Sequence, residues 1–364
     1  MDFKLIIHST KTYLIYISGI FFVIGLLSRD IRLQQILIDE SNPEFQTSNI
    51  FCAELPRCTR ISSEILGLGI QNLLHNFAAF FHNNLFWQSF YLTEKQYFLI
   101  FSDFSSIIFR VICLLPIVAY CYKLFRDSIN AKILLLLGLT CIFSGFPLYY
   151  LNDLFGIYLV NYDYMTIFVM GLFLNFSTQI FRSKILFCLF TILCVMTIEN
   201  LPIVFIVLIY FQNKNQIKRF NLFILSSITI FVTYSFLLLG VIRQNDSISS
   251  IESDGRYYLS NLQQLPEISG AIFLIIIWSF LLGISVGSFG LRNFPVSSLK
   301  SAKEFIPIRN IQGIILGYFI SIFAGFFLSI LTEFARQLLF LQLVVFLSGV
   351  VVGIRLLISL KTRK

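Results

Sequence analysis

The sequence predicts an all-α protein, a polytopic membrane helix bundle that forms a single integral membrane domain over residues 1–364. Composition is the first reason: 57% of the residues are hydrophobic and only 13% are charged, about half of the ~25% typical of soluble domains. The mean hydropathy of +0.82 is the second reason. The apolar residues also fall into long runs between polar breaks. A soluble domain could not cover so much apolar surface, and a disordered chain would not contain it.

These runs predict about ten membrane helices, two of which form a short hairpin at 185–211. The other eight spans are predicted at 13–27, 97–122, 133–150, 164–181, 220–242, 269–291, 311–331 and 338–360. The first run has the basic start of a signal peptide but lacks a cleavage site between small residues. It is therefore interpreted as an uncleaved anchor.

The hairpin follows from one polar break in an apolar stretch. Residues 185–211 are apolar except at Glu199 and Asn200, Pro202 lies just beyond, and basic residues flank both ends. A single span would put one basic cluster on the wrong side of the membrane, whereas two short helices put both inside. At 1.5 Å per residue the arms are about 21 and 16 Å long, shorter than the ~30 Å hydrocarbon core. The turn is therefore expected to lie within the protein.

A long first loop at 29–96 separates the first two spans and contains an apolar-sided pattern near 62–91. This pattern predicts an extracytoplasmic amphipathic helix that lies in the membrane interface. Cys52 and Cys58 lie in the same loop and are disulfide candidates, because an oxidising compartment permits the bond. Two unpaired thiols are the alternative.

Basic residues predict the orientation. Ten helices put both termini on one side, and 17 of the 27 Lys and Arg residues fall in the segments on that side. The positive-inside rule then predicts cytoplasmic termini in a bacterial inner (plasma) membrane. The same rule explains the net charge of +8, so we expect membrane lipid and no nucleic acid as a partner. Because the 3 histidines form no metal-binding motif, no metal or other cofactor is expected.

Scarce polar residues gather on the predicted outer side. The candidates are Asp30, Asp153, Asp163, Glu199, Asn200, Glu333 and Arg336. A charge within the membrane costs about 2.5–3.5 kcal/mol at the centre of a span, which makes such residues functional candidates. Asp30 also fits the role of a solvated loop acid, and Asp163 also fits the role of a helix cap. Glu333 and Arg336 also fit an ion pair on one helix.

The layout resembles the GT-C class of polytopic glycosyltransferases, which take sugars from polyprenyl-phosphate carriers at the extracytoplasmic face. The shared features are an anchor helix, a long outer loop with an early acid and an interfacial helix, and many short spans. The stretches 161–165, 197–200 and 333–336 also look like motifs of uncharacterised bacterial membrane proteins of similar layout.

The resemblance implies a glycosyltransferase with a polyprenyl-phosphate-linked sugar donor. It implies catalytic roles for Asp30, as the general base, and for Glu199. It implies that the guanidinium of Arg336 contacts the lipid phosphate. It implies substrate-binding roles for all the remaining candidates, which are Asp153, Asp163, Asn200, Glu333 and Arg336. The chain departs from the class at Ile31, where a second acid is common.

Two other classes of function stay open. A transporter or flippase would use the break at 199–202 as a discontinuous helix, although such proteins commonly contain an inverted repeat, which is not evident here. A non-enzymatic membrane scaffold would tolerate Glu199→Gln and Arg336→Lys.

Overall fold

A computed structural model describes part of the chain, and this part is almost entirely helical. It covers residues 61–62, 65–67, 69–70, 72–73, 108–120, 123, 161–198, 200–212, 215–244, 273–274, 276–289, 291–292, 308–328 and 331–362. Of these residues, 97% are helical, which confirms the all-α class.

The longer helices of the described ranges are named α1 to α8 in chain order. They are α1 (Ile108–Tyr120), α2 (Asn161–Arg182), α3 (Lys184–Thr197), α4 (Asn200–Gln212), α5 (Gln216–Gln244), α6 (Ile276–Phe289), α7 (Ile308–Leu328) and α8 (Leu331–Thr362). The described residues among 61–73 are also helical and are called the first-loop segment.

Three of these helices are long and apolar enough to cross a membrane. Their spanning portions are Tyr164–Arg182, Gln216–Leu239 and Leu341–Thr362. Five shorter apolar helical stretches of 10–17 residues accompany them, one of which, Asn310–Ser321, is part of α7. This inventory is compatible with a membrane protein. The spans predicted at 13–27 and 133–150 lie outside the described residues.

The predicted hairpin is present as α3 and α4. The side chain of Ser183 caps α3 by accepting a hydrogen bond from the backbone N–H of Leu186 at 3.4 Å. α3 ends at Ile198, whose backbone is extended, and α4 begins at Asn200. Pro202 falls in the first turn of α4, where its missing N–H has no helical partner to lose. The helical run is therefore interrupted at Ile198, next to the turn predicted at 199–202.

α8 begins earlier than the predicted span at 338–360. Its helix starts at Leu331, so Glu333 and Arg336 belong to its first two turns rather than to the preceding loop. An acid in the first turn interacts favourably with the positive end of the helix dipole, which explains why these polar residues do not delay the helix. α2 likewise starts at Asn161 and includes Asp163 in its first turn.

Contacts between helices fix their relative directions. Two helices are parallel where the sequence numbers of the residues in contact increase in the same direction along both. This holds for α1 with α2, α3 with α5, and α6 with α8. α4 and α7 are antiparallel, and so are α2 and α7. For the parallel pairs, the contacts are Arg110–Tyr164 and Pro116–Asn175 between α1 and α2, Cys188–Thr229 and Val195–Leu237 between α3 and α5, and Gly283–Phe346 and Ile284–Gly353 between α6 and α8. For the antiparallel pairs, they are Val204–Gly317 and Leu208–Gly313 between α4 and α7, and Ser177–Asn310 between α2 and α7, where Met170 and Ile314 line one cavity further along.

α7 and α8 pack as an antiparallel pair. Only residues 329–330 separate the end of α7 from the start of α8, and the two helices are in contact. Ile314 and Val344 line the same small cavity and lie nearly equally far from this connection. α8 therefore runs back along α7 from its first residue.

Asn175 joins α2 to α1. Its amide nitrogen donates to the carbonyl oxygens of Pro116 at 2.7 Å and Gly171 at 2.8 Å, and its amide oxygen accepts from the Lys123 ammonium at 3.1 Å. A Cβ on Gly171 would meet the α1 backbone, so the two helices approach closely at this level.

Five phenylalanine rings fill the centre of α2, α3 and α4. This phenylalanine cluster extends from the middle of the helices toward the turn at 182–184, and ring centroids lie 5.1 to 6.3 Å apart. All five side chains are buried: Phe173, Phe181, Phe187, Phe190 and Phe205. Such edge-on and offset pairs add about 0.5–1.5 kcal/mol each beyond area burial.

Glycines bring α6 and α8 into backbone contact. The glycine seam consists of Gly283, Gly287, Gly349 and Gly353. A Cβ at any of them would meet a carbonyl oxygen of the other helix. Small residues spaced four apart allow this close approach, which membrane helices use because lipid supplies no hydrophobic drive for their association.

Candidate functional site

Charged residues divide the bundle into two ends. Nine of the twelve Lys and Arg residues within the described ranges lie near one end, which we call the basic end: Lys123, Arg182, Lys184, Lys218, Arg219, Arg292, Arg309, Arg355 and Lys361. Here α1, α2, α4, α6 and α8 finish and α3, α5 and α7 begin. The opposite end, called the polar end, carries the two acids of the described ranges, Asp163 and Glu333.

Backbone register puts two predicted site residues at one level of the bundle. Met170 of α2, Ile314 of α7 and Leu343 of α8 line the same small cavity. Asp163 lies seven residues before Met170, and Arg336 lies seven residues before Leu343. At 1.5 Å per residue both positions are about 10 Å nearer to the polar end.

The α3–α4 turn lies at a similar level. Leu208 of α4 packs against Gly313, the neighbour of Ile314 in α7. Asn200 lies eight residues before Leu208 in the same direction. The starts of α2, α4 and α8 therefore share one end of the bundle.

The predicted site residues differ in how far they are described. Asp30, Asp153, Glu199, Cys52 and Cys58 lie outside the described residues. The structure gives only the backbone of the others: Asp163, Asn200, Glu333 and Arg336. A common cavity for their side chains stays a prediction.

A buried arginine lies at the polar end, and sequence reasoning did not assign it to the site. Arg110 is 7% exposed, and its guanidinium lies 5.4 Å from the ring centroid of Tyr164, the residue after Asp163. A cation over an aromatic face gains electrostatic attraction from the ring, more so away from water. The sequence feature that could have identified Arg110 is its position within a predicted span, but Arg355 also lies within a predicted span. Arg355, however, is exposed near the basic end.

The first-loop segment is anchored beside the α3–α4 turn. The hydroxyls of Ser62 and Thr197 are 3.0 Å apart and buried. Thr197 donates its hydroxyl proton to the Leu193 carbonyl at 2.7 Å, so Ser62 is the donor to Thr197. Ile61 shares a small buried cluster with Val195. The loop that contains Asp30 thus returns to the residue two positions before Glu199.

An apolar groove begins at this contact. The lateral groove has a volume of about 630 Å³ and lies between the first-loop segment, α1, α2 and α3. Its lining includes Leu66, Ile70, Ile112, Phe168 and Leu193, with Ser62 at one end. It is therefore an almost wholly apolar channel that reaches the polar end of the bundle.

Two buried polar side chains lack hydrogen-bond partners among the described residues. Gln342 of α8 is 1% exposed and neither amide atom is bonded, and the same holds for the fully buried Ser321 hydroxyl of α7. Ser321 lies seven residues beyond Ile314 toward the polar end, and Gln342 lies next to Leu343 at the level of the small cavity. An unsatisfied buried polar group costs about 1–3 kcal/mol, so such groups require a reason such as a bound ligand or water.

Metal ligands do not gather in the part of the chain that the structure describes. No group of three or more His, Cys, Asp or Glu side chains occurs there. The polar end instead offers a guanidinium, hydroxyls and an amide, which suit an anionic or hydroxyl-rich ligand.

Fold and groove define an all-α protein that is compatible with a membrane protein and has an apolar groove near its polar end. No known protein family, curated protein or solved structure matches this chain. Its function is therefore inferred from its residues and geometry.

Proposed function

We propose that the protein is an integral membrane glycosyltransferase that uses a polyprenyl-phosphate-linked sugar at the extracytoplasmic face of a bacterial inner membrane. The lateral groove carries this proposal, because its lining is almost wholly apolar and includes Ser62, which is hydrogen-bonded to Thr197 beside the α3–α4 turn. A lipid-linked sugar needs both environments side by side: an apolar channel for the isoprenoid chain and polar groups for the sugar phosphate.

Helix directions and charge support the proposed orientation. An alternating path of ten spans requires α1, α2, α4, α6 and α8 to run one way and α3, α5 and α7 the other. The contacts described above agree with these directions. The positive-inside rule puts the basic end in the cytoplasm, so the polar end faces outward.

The proposed chemistry is transfer of a sugar from phosphate to a hydroxyl. Asp30 removes the proton of the acceptor hydroxyl while its oxygen attacks the anomeric carbon. The bond from that carbon to the lipid phosphate oxygen breaks, and Arg336 balances the negative charge left on the phosphate. Glu199 orients the base or holds sugar hydroxyls. The remaining substrate contacts come from Asp153, Asp163, Asn200 and Glu333.

The phenylalanine cluster favours an enzyme over a transporter. A transporter needs a path that opens to each side in turn. In α2, α3 and α4, five buried rings fill the half nearer to the basic end, and polar groups are concentrated at the other end. Unsatisfied Gln342 and Ser321 favour a ligand-binding role over a scaffold.

Transfer by the purified full-length protein tests the proposal. Reconstituted protein is given a panel of polyprenyl-phosphate hexoses, and release of polyprenyl phosphate is measured. Hydrogen bonds to charged groups contribute about 1.5–3 kcal/mol, so Arg336→Gln should lower kcat/KM about 10- to 150-fold. The matched control is Arg355→Gln on the same helix, which should be unaffected because Arg355 is exposed near the other end.

A second variant tests the groove itself. A side chain added at Gly69 meets no atom within 4 Å, so Gly69→Trp should fill the groove without disturbing the backbone. It should raise KM for long-chain donors and leave short-chain donors unaffected, whereas Ile228→Trp on the exposed face of α5 should change neither. A wild-type protein that cleaves no donor, together with an unchanged glycan and glycolipid profile in cells lacking the gene, would contradict the proposal.

A further inference from the structure

A second apolar groove lies at the basic end, away from the proposed site. The basic-end groove has a volume of about 630 Å³ and lies between α4, α5 and α7. Its apolar lining includes Ile206, Phe220, Phe223, Leu316 and Ile320. Most of these side chains are also partly exposed on the outer surface of the bundle. The groove therefore faces the surroundings of the protein, which in a membrane are acyl chains.

A cation is held at the edge of this groove. The guanidinium of Arg219 lies 4.2 Å from the ring centroid of Tyr210, and both residues line the groove. This distance is well inside the ~6 Å range of cation–π attraction. The stacking fixes the position of a positive charge beside an apolar channel.

The surrounding charges are also positive. The first turn of α5 contains Lys218 followed by Arg219, and it contains no acid. The Asn215 side chain accepts hydrogen bonds from the backbone N–H groups of Ile217 at 3.0 Å and Lys218 at 3.4 Å, which caps the helix. Positive side chains interact unfavourably with the positive end of the helix dipole at the start of α5. An anion bound there would offset this repulsion and stabilise the turn.

We infer that the basic-end groove binds an anionic phospholipid, with one acyl chain in the groove and the phosphate beside Arg219. Charge complementarity selects this occupant, because the groove combines an apolar channel with the guanidinium of Arg219 stacked at its edge. A guanidinium matches the geometry of phosphate oxygens, and anionic lipids are attracted to Lys and Arg at the membrane surface. The inference does not depend on glycosyl transfer and would stand if that activity failed.

Native mass spectrometry of the full-length protein tests the inference. The protein is purified in detergent, mixed with phosphatidylglycerol or phosphatidylcholine of identical chains, and retained lipids are counted. Wild-type protein should retain phosphatidylglycerol in preference to phosphatidylcholine. A basic residue near the membrane surface is worth a factor of about five in affinity, so Arg219→Gln should lower retention by about that factor. Arg355→Gln, which changes an exposed arginine near the basic end that does not line the groove, should not.

The acyl chain is tested separately. Ile320→Trp should fill the groove and reduce retention of both lipids, whereas Ile228→Trp on the exposed face of α5 should reduce neither; far-ultraviolet circular dichroism checks that each variant folds. Equal retention of the two lipids by wild-type protein, equal loss in Arg219→Gln and Arg355→Gln, or a stable dimer with no retained lipid would overturn the inference.

Discussion

The side-chain amide of Gln342 shows what one residue can reveal about a bundle of this kind. It is 1% exposed within an apolar stretch of α8, and neither its nitrogen nor its oxygen has a partner among the described residues. An apolar side chain of similar size would avoid the cost of this burial. We expect the amide to be retained because it contacts substrate.

Gln342→Leu should separate stability from activity. Removing an unsatisfied buried amide should raise the free energy of unfolding by about 1 kcal/mol, since its desolvation penalty disappears. Sugar transfer should fall at the same time. Thermal unfolding in detergent and the donor-cleavage assay measure the two effects. Gln312→Leu, at an exposed position of α7, is the control and should leave activity unchanged.

If Gln342→Leu destabilised the protein instead, the amide would have a structural partner and its assignment to the site would be wrong.

Sequence alone identifies residue types but not the direction in which they face. Glu199 could be singled out because it interrupts an apolar run. Arg110 and Arg355 could not be told apart, since both lie within predicted spans, yet one is buried beside Tyr164 and the other is exposed. The difference arises from tertiary packing, which hydropathy does not encode.

At the scale of elements, the sequence predicts where a helix is interrupted but not which helices pack against each other. The α3–α4 break was predicted because Glu199 and Pro202 are unfavourable in the interior of an apolar helix. The spanning portion of α8, Leu341–Thr362, agrees with the span predicted at 338–360, but the helix itself begins at Leu331, because Glu333 and Arg336 suit the first turns of a helix. Pairing of α6 with α8 depends on complementary glycines in two distant segments, which one sequence does not reveal.

The glycine seam predicts a strong response to added volume. Gly283→Val would place a side chain against the Phe346 carbonyl of α8, where only backbone lies and nothing can move aside cheaply. Overpacking of this kind costs about 1–3 kcal/mol or more, so the midpoint of thermal unfolding in detergent should fall by several degrees. Gly69→Ala, which adds a methyl group in open space, is the matched control.

An unaltered unfolding midpoint in Gly283→Val would show that α6 and α8 do not meet through these glycines.

For the whole molecule, composition predicts the class and charge predicts the orientation. The apolar content and its arrangement in long runs predict an all-α membrane protein, and three described helices are long and apolar enough to span a bilayer. The ten-span path needs more than composition, because α3 and α4 are shorter than a bilayer and resemble the two halves of one span. The sequence could separate them only through the basic residues at both ends of 185–211.

Sidedness can be measured with a thiol reagent that does not cross membranes. In a variant background lacking native cysteines, Glu199→Cys should react in intact cells, because the proposed orientation puts the turn toward the extracytoplasmic side. Arg182→Cys, at the exposed turn of the basic end, should react only after the membrane is permeabilised. Reaction of the Glu199→Cys protein only after permeabilisation would reverse the orientation and remove the basis of the proposed chemistry.

The phenylalanine cluster has a consequence for the energy balance of the cell. The five aromatic rings packed between α2, α3 and α4 carry no hydrogen-bonding group, so the cluster itself gives a proton no stepping stone. In the proposed membrane orientation, the cluster should hinder the movement of water and protons between these three helices. A cell that makes many copies should therefore keep its proton-motive force intact.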